Sequence, residues 1–378
     1  MPRVLFLLAL GIVLTDTAGC AATPTITRDE IIKDAHQTAD AQLKALQGKF
    51  STGWVWGVME TGYAGLSHVS PDGPAYGGTL TAWANQAEWT PPTSKSNGLV
   101  HADDFCIGQT FLDLYVSHPA PSEIEPLRKR LDLFVDHIKA EPPNPPKLTW
   151  YWCDSLFMAP PTLARMSAIT QDQKYINAMD AEYWRTVALL YDRDEHLFYR
   201  DSRFLTKKDI NGKKVFWARG NGWVLAGLAR TLQYMPADYA SRPKYIALFK
   251  DMAAKLSTLQ SPDGTWPASL IDPRLFPGPE TSGTSLFCYG IAWGINNDLL
   301  DRTTYLPIVA RAWIALINDR RSDYLPGFVQ GVGFEPRLAQ ADGTQLYTTG
   351  SLLLDAVELL KLAPIEMPRS LTKSNAAD

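Results

Sequence analysis

Helical segments of two kinds alternate along almost the whole chain, and this alternation constrains the fold more than any other feature. One kind is amphipathic and charged, as in KYINAMDAEYWRTVALL, and the other is apolar nearly all round, as in GWVLAGLARTL. A helix that is apolar on every side is a buried helix, whereas an amphipathic helix lies at the surface. The periodicity predicts helices at 28–47, 53–66, 78–89, 102–117, 122–139, 155–170, 173–190, 219–234, 242–259, 283–300, 305–320 and 349–362.

Buried and surface segments that take turns along a chain form two concentric rings. The sequence therefore predicts an all-α fold, an (α/α)6 barrel of six inner and six outer helices. Because no Gly/Ser-rich or Pro-rich linker interrupts the pattern, we expect residues 23–378 to form one barrel domain. Residues 1–22 are predicted to be a signal peptide.

The N-terminus predicts export. Residues 1–14 (MPRVLFLLALGIVL) hold one basic residue and then an apolar run that is too short to anchor the chain across a bilayer. Residues 17–20 (TAGC) are similar to a lipobox, in which Cys20 would be lipidated after cleavage, and ordinary export is the alternative. We expect a periplasmic protein or an outer-membrane lipoprotein, with membrane contact only through such an anchor.

Charge and cysteine content exclude several classes of partner. The net charge of −4 and the pI near 5.9 argue against nucleic acid, which requires a basic surface. Cys106, Cys153 and Cys288 are widely spaced, so we expect buried thiols rather than disulfides or a zinc site. No metal-spaced cluster, Ser-His-Asp order or phosphate-binding loop occurs, and neither a metal nor a cofactor is predicted.

The unusual residues gather in the loops that lead from an outer to an inner helix. These loops must all lie at the same end of the barrel. They contain the sequences STGWVWG, HADDFCIGQ, WYWCDSLF, WARGNGW, ETSGTSLF and YTTGS. That end of the barrel is therefore predicted to carry a cleft lined by aromatic side chains, carboxylates and an arginine.

Asp154 is the first candidate for a catalytic group. It follows the aromatic run WYWC and precedes an apolar helix. The simplest role is a helix N-cap, where aspartate contributes about 1 kcal/mol. A cap does not need a stacking platform, however, so the neighbouring aromatics favour a general acid within a sugar site.

Asp103 and Asp104 open the fourth helix. Adjacent helical residues point about 100° apart, so only one of the two can face the barrel axis. We expect Asp104 to face inward and Asp103 to be a cap or dipole partner, while the sequence leaves the choice open. His101 is the only histidine near these loops and is a further candidate for substrate contact.

Arg219 and Trp223 lie four residues apart, on one face of an otherwise apolar helix. A buried arginine needs an anion, which is either a protein carboxylate or the carboxylate of a ligand. Together the two residues would form a uronate clamp and a sugar platform. Ion pairing within the protein and core packing of Trp223 are the alternatives.

Three motifs in this order, WYWCDSLFMAPP, WARGNGW and ETSGTSLFCYGIAWGIN, resemble the unsaturated glucuronyl and rhamnogalacturonyl hydrolases of glycoside hydrolase families 105 and 88. The resemblance extends over most of the chain and implies the same (α/α)6 barrel. It also implies that Asp154 is the general acid and base and that Asp104 is the second active-site aspartate. The substrate-contacting positions that it implies are Trp152, Arg219, Trp223 and Trp54.

One departure from the family pattern concerns the sugar preference. Arg200 follows Tyr199 where rhamnogalacturonyl members often have a histidine. A second arginine would suit a charged or sulfated fragment.

The reaction implied by the resemblance is hydration of a vinyl ether. Asp154 would protonate C4 of a 4,5-unsaturated uronate, water would add to C5, and the hemiketal would collapse to release the rest of the oligosaccharide. Two alternatives remain at this stage. A different (α/α)6 enzyme, such as an epimerase or lyase, is disfavoured by the shortage of histidines, and an exported lipoprotein could bind sugars without catalysis.

Overall fold

The computed structural model describes residues 25–94, 98–140 and 148–366. The apolar N-terminal run, Cys20 and the predicted domain limits at residues 22 and 378 lie outside these ranges. Within them, no helix is both long enough and apolar enough to cross a membrane.

Helices make up most of the described chain. They are α1 (Arg28–Leu46), α2 (Trp54–Ser67), α3 (Gly73–Gln86), α4 (Gly108–Ser117), α5 (Pro121–Ala140), α6 (Ser155–Met158), α7 (Pro160–Thr170), α8 (Lys174–Leu190), α9 (Ala218–Tyr234), α10 (Arg242–Ser257), α11 (Thr281–Asn296), α12 (Arg302–Asn318) and α13 (Leu346–Leu362). Short 3-10 turns occur at Gly98–Val100, Ala102–Phe105 and Ser202–Phe204. Two antiparallel pairs of short strands join β1 (Thr25–Ile26) to β4 (Ile365–Glu366) and β2 (Tyr191–Asp192) to β3 (Leu197–Phe198).

The inner ring closes on itself. Helices α2, α4, α6 with α7, α9, α11 and α13 each pack against the next, and α13 packs against α2. The remaining helices lie outside, each against an inner neighbour: α1 on α13, α3 on α2, α5 on α4, α8 on α7, α10 on α9 and α12 on α11. The predicted (α/α)6 barrel is confirmed.

Small residues let the inner helices approach closely where the ring closes. A Cβ atom at Gly62 of α2 would collide with the backbone of Gly350 in α13, and one at Gly350 would collide with the Val58 carbonyl. The same occurs between α9 and α6, where Gly227 faces the Leu156 carbonyl. The richness of the inner segments in small residues thus has a steric cause.

The predicted helix at 78–89 is real but begins earlier, at Gly73. Pro74 lies in its first turn, where a missing N–H has no cost, and proline favours a helix start there. Gly77 and Gly78, which weaken the helical pattern, lie inside the helix.

Two of the predicted inner helices are interrupted at the motif-bearing end. The segment predicted at 102–117 begins as the 3-10 turn Ala102–Phe105, and α4 follows it. The segment predicted at 155–170 breaks at Ala159, because Pro160 and Pro161 lack the N–H groups that a continuous helix needs. Both interruptions place irregular backbone beside the predicted cleft.

Candidate active site

A pocket of about 130 Å³ opens at the motif-bearing end of the barrel. It is lined by Trp54, Asp103, Trp152, Asp154, Met158, Arg200, Trp217, Arg219, Trp223, Val332 and Gly333. Sites for drug-sized ligands occupy roughly 300–1,000 Å³. This pocket therefore suits one sugar ring at the end of a chain better than the interior of a polysaccharide.

Asp154 lies at the start of α6, and its side chain is 12% exposed. Asp154 occupies the N-cap position, but its side chain makes no capping hydrogen bond to the helix. Local backbone pairing holds this segment, since the Cys153 N–H donates to the Arg200 carbonyl over 2.8 Å. The Cys153 thiol also donates weakly to Asp154 Oδ2, with a sulfur–oxygen distance of 3.5 Å. The carboxyl group is thus free of a capping role and faces the pocket.

Arg200 is the cation nearest to this carboxyl group. Its Nε lies 3.3 Å from Asp154 Oδ2, and its Nη1 donates to Asp201 Oδ2 over 2.9 Å. Within the described part of the chain, no acceptor meets hydrogen-bond geometry with the Nε of Arg200, although that atom is buried. A buried N–H without an acceptor costs about 1–3 kcal/mol, so an anion in the pocket would find a ready donor.

Asp103, rather than Asp104, faces the pocket. The expectation that Asp104 points inward is therefore wrong. The carboxylate of Asp104 instead accepts two hydrogen bonds from Ser94, one from its backbone N–H over 2.8 Å and one from its hydroxyl over 2.7 Å. Arg130 of the outer helix α5 lies 4.0 Å away. Because the turn is a 3-10 turn and not the first turn of α4, the geometry of a continuous α-helix does not apply.

The environment of Asp103 makes it a proton carrier. Burial and the negative charges of Asp154 and Asp104 raise the pKa of Asp103 to about 7, and Arg200 opposes them in part. Near neutral pH the pocket therefore holds an exchangeable proton.

His101 supports this arrangement from beside the pocket. Its Nδ1 accepts the Asp103 N–H over 3.3 Å, and its ring centroid lies 5.0 Å from that of Trp152. Burial lowers the pKa of His101, so the imidazole is neutral at pH 7. Its predicted contact with substrate stays a prediction.

Aromatic side chains form one wall of the pocket. Trp54 stacks on Tyr347 with a centroid distance of 5.5 Å, and its ring lies edge-on to Trp223 at 6.2 Å. Trp223 also packs on Phe157 at 5.0 Å. The predicted sugar-contacting residues Trp54, Trp152 and Trp223 thus all line the pocket. Trp223 is almost fully buried among these rings, so it also packs in the core, which was the alternative for it.

Arg219 reaches the same pocket, but its hydrogen bonds go to the protein. It donates to the carbonyls of Gln330 and Gly331, the latter over 2.8 Å, and to the Ser282 hydroxyl over 3.3 Å. Its guanidinium also lies over the ring of Tyr347 at 4.9 Å. Arg219 therefore holds the connection between α12 and α13 against the barrel, and its role as a uronate clamp stays a prediction.

Four lining residues were not singled out from the sequence: Met158, Trp217, Val332 and Gly333. Trp217 is the first residue of the WARGNGW motif and could have been named with it. Val332 and Gly333 belong to the connection 319–345, which has no helical period. The length of this connection is the sequence feature that could have pointed to these two residues, because connections that long are often functional.

Within the described ranges, no group of three or more His, Cys, Asp and Glu residues could hold a metal ion. Cys106, Cys153 and Cys288 are free and buried, as expected. A small aromatic-walled pocket with two interacting carboxyl groups and an arginine is typical of an enzyme that works on a sugar by acid–base chemistry.

Comparison with known proteins agrees with this class. The profile described as Glycosyl Hydrolase Family 88 matches residues 27–363. An Unsaturated 3S-rhamnoglycuronyl hydrolase of Formosa agariphila is 40% identical over 327 residues, which cover 82% of this chain and 85% of that protein. A protein of the same name from Alteromonas sp. is 36% identical over 279 residues, 69% of this chain and 67% of its own length.

A solved structure is similar as well. The "Glycosyl hydrolase family 88 from Bacteroides vulgatus" superposes with a TM-score of 0.81 at 31% identity, covering 89% of this chain and 99% of its own. The chain belongs to glycoside hydrolase family 88. It is a glycoside hydrolase.

Proposed function

We propose that this glycoside hydrolase removes a 4,5-unsaturated uronic acid from the end of oligosaccharides left by a polysaccharide lyase, and that the neighbouring sugar is a 3-sulfated rhamnose. The names of the two relatives support the uronate and the sulfated rhamnose. The observation that carries the proposal is a one-ring pocket in which Asp154, Asp103 and Arg200 converge. The family assignment favours this reaction over an epimerase, a lyase or a non-catalytic sugar-binding protein.

Asp154 performs the proton transfers in this proposal. It gives a proton to C4, which leaves a cation at C5 that the ring oxygen stabilises. It then accepts a proton from the water that adds to C5. The hemiketal opens and the second sugar departs, so one water is consumed and no cofactor is needed. The raised pKa of Asp103 keeps a proton within the pair near neutral pH.

Arg200 binds the anionic end of the substrate in this proposal. Its Nε faces Asp154 Oδ2 at 3.3 Å without a hydrogen bond. A uronate carboxylate would accept that N–H and compete with Asp154 for the guanidinium. Arg200 would thereby hold the uronate beside Asp154.

We also propose that the protein works outside the cytoplasm. The support is the apolar N-terminal run and the cysteine at position 20, both in the sequence alone. A periplasmic or outer-membrane site would give the enzyme access to lyase products. Fractionation of cells and mass spectrometry of the mature N-terminus would distinguish free export from lipidation.

The test uses the ultraviolet absorbance of the C4=C5 double bond. Wild-type protein is expected to abolish the absorbance of an unsaturated uronate–rhamnose 3-sulfate disaccharide, and Asp154→Asn is expected to lower kcat by at least about a thousandfold while still binding it. Asp136→Asn, at an exposed position on the outer helix α5, removes the same charge and should leave the rate unchanged.

Thermal unfolding of all three proteins would show whether each variant is folded. Unchanged absorbance with the wild-type enzyme across a panel of lyase products would refute the proposal. Full activity of folded Asp154→Asn would instead refute the role given to that aspartate. If the wild-type protein binds these substrates but does not turn them over, the alternative of a protein that binds sugars without catalysis would be favoured.

A further inference from the structure

A group of exposed cations lies beside the mouth of the pocket. Val332 and Gly333 line the pocket itself, and Phe334, the next residue, is partly exposed. Because the pocket holds about one ring, the sugar attached to the uronate must lie outside it, and Phe334 directly follows the lining residues Val332 and Gly333. The side chains around Phe334 are therefore placed to meet the second sugar.

Two guanidinium groups share the ring of Phe334. The Cζ of Arg203 lies 4.7 Å from the ring centroid and that of Arg337 lies 5.8 Å away. Their side chains are 59% and 57% exposed. Phe334 gathers these two cations at one place by cation–π attraction, although they belong to distant parts of the chain. We call Arg203, Phe334 and Arg337 the basic rim.

A buried carboxylate links the basic rim to the pocket. Asp201 accepts from Arg203 Nε at 2.8 Å and Nη2 at 2.7 Å, and from Arg200 Nη1 at 2.9 Å. Asp201 thus joins Arg203 to Arg200 of the pocket, and Phe334 joins Arg203 to Arg337.

The nearby acidic group leaves Arg337 largely available. Glu335 is engaged by Lys207 over 2.7 Å, and its distance to Arg337 is 3.9 Å. Exposed pairs of that length contribute little. The connection itself is held firmly, because Gln330 accepts the Arg337 N–H over 3.2 Å and the Trp217 indole N–H over 3.1 Å. Arg337 is thus an exposed cation whose backbone is held by a hydrogen bond.

We infer that the basic rim is an anion subsite that binds a sulfate group on the sugar attached to the uronate. The inference rests on the proposed function, because it assumes that the pocket holds the uronate. Sulfate is the ligand that fits, since planar guanidinium groups donate pairs of hydrogen bonds to tetrahedral oxyanions. The basic rim would then set the preference for sulfated over unsulfated fragments.

The experiment compares two disaccharides, the unsaturated uronate–rhamnose 3-sulfate and its desulfated counterpart, in wild type, Arg337→Gln and Arg128→Gln. We expect wild type to prefer the sulfated substrate and Arg337→Gln to lower the ratio of kcat/KM for sulfated over desulfated substrate about tenfold, chiefly through KM. Arg128, exposed on α5 and paired with Glu125 in the same loose way, is the matched control and should leave the ratio unchanged. A disaccharide has no second uronate, so any lost preference comes from the sulfate.

Phe334→Leu gives a second test that keeps both charges. It should lower the same ratio by a smaller factor, because the arginines lose their shared ring. If wild type clears both substrates and Arg337→Gln leaves the ratio unchanged, the anion subsite is wrong and the proposed function stands. If wild type clears neither substrate, the proposed function fails and the subsite fails with it.

Discussion

Asp103 shows how one side chain can determine the pH range of the reaction. Its pKa is raised to about 7, chiefly by burial and then by Asp154 and Asp104. Below that pH Asp103 holds a proton beside Asp154 for the proposed reaction, and above it that proton is lost. We predict that kcat/KM is level below about pH 7 and then falls about tenfold per pH unit.

Asp103→Asn should remove the descending limb near pH 7 from the residual activity, because an amide does not titrate. Initial rates from about pH 5 to about pH 9 would check the prediction. Carbon-13 NMR of aspartate-labelled wild type and variant would locate the titrating carboxyl group directly. An unchanged limb in the variant would show that another group carries the proton.

At the scale of elements, the contact between α2 and α13 decides whether the inner ring closes. Gly350 has no room for a Cβ, because the backbone of Val58 and Met59 occupies its place. We predict that Gly350→Ala lowers the free energy of unfolding by about 1–3 kcal/mol, since the two helices must separate. Chemical denaturation would measure the change.

Gly78→Ala is the matched control for that substitution. Gly78 also lies inside a helix, α3, but a Cβ there would meet nothing within 4 Å. Alanine is a better helix former, so this variant should gain up to about 1 kcal/mol. Equal effects at both positions would mean that the close approach of α2 and α13 does not limit stability.

At the scale of the whole molecule, a buried carboxyl group in the inner ring couples stability to pH. Burial raises the pKa of Glu60, on α2, well above its usual value of 4.5. The folded protein therefore keeps a proton that the unfolded chain releases as the pH rises above about 4.5. The stabilisation is complete below that pH and is lost as the pH rises towards the folded pKa, with a slope of up to about 1.4 kcal/mol per pH unit.

Glu60→Gln should flatten this loss, because the amide stays neutral in both states. Thermal unfolding at a series of pH values would compare it with wild type and with Glu88→Gln, an exposed control. If the two variants follow the same pH dependence, ionisation of Glu60 does not contribute to unfolding.

The sequence by itself determined the two rings and singled out Asp154 as a candidate. Both depend on local patterns: a helix shows its buried faces through its period, and the aromatic run stands beside the aspartate in the chain. The predicted ends of α3 and of the two interrupted inner helices differ from the observed ones. Proline and glycine change the backbone within one helical turn there, and the periodicity of a longer segment does not show such a local change.

Only the tertiary structure decided which aspartate joins Asp154 and what Arg219 holds. Asp104 turns outward because Ser94 donates to it twice, and Arg219 bonds to carbonyls more than one hundred positions away. The basic rim likewise joins Arg203 to Phe334. The orientation of a side chain at a helix end depends on hydrogen-bond partners elsewhere in the chain. The hydrophobic periodicity of the helix itself does not reveal those partners. Sequence periodicity therefore predicts the barrel, while long-range hydrogen bonds and ring contacts determine the site.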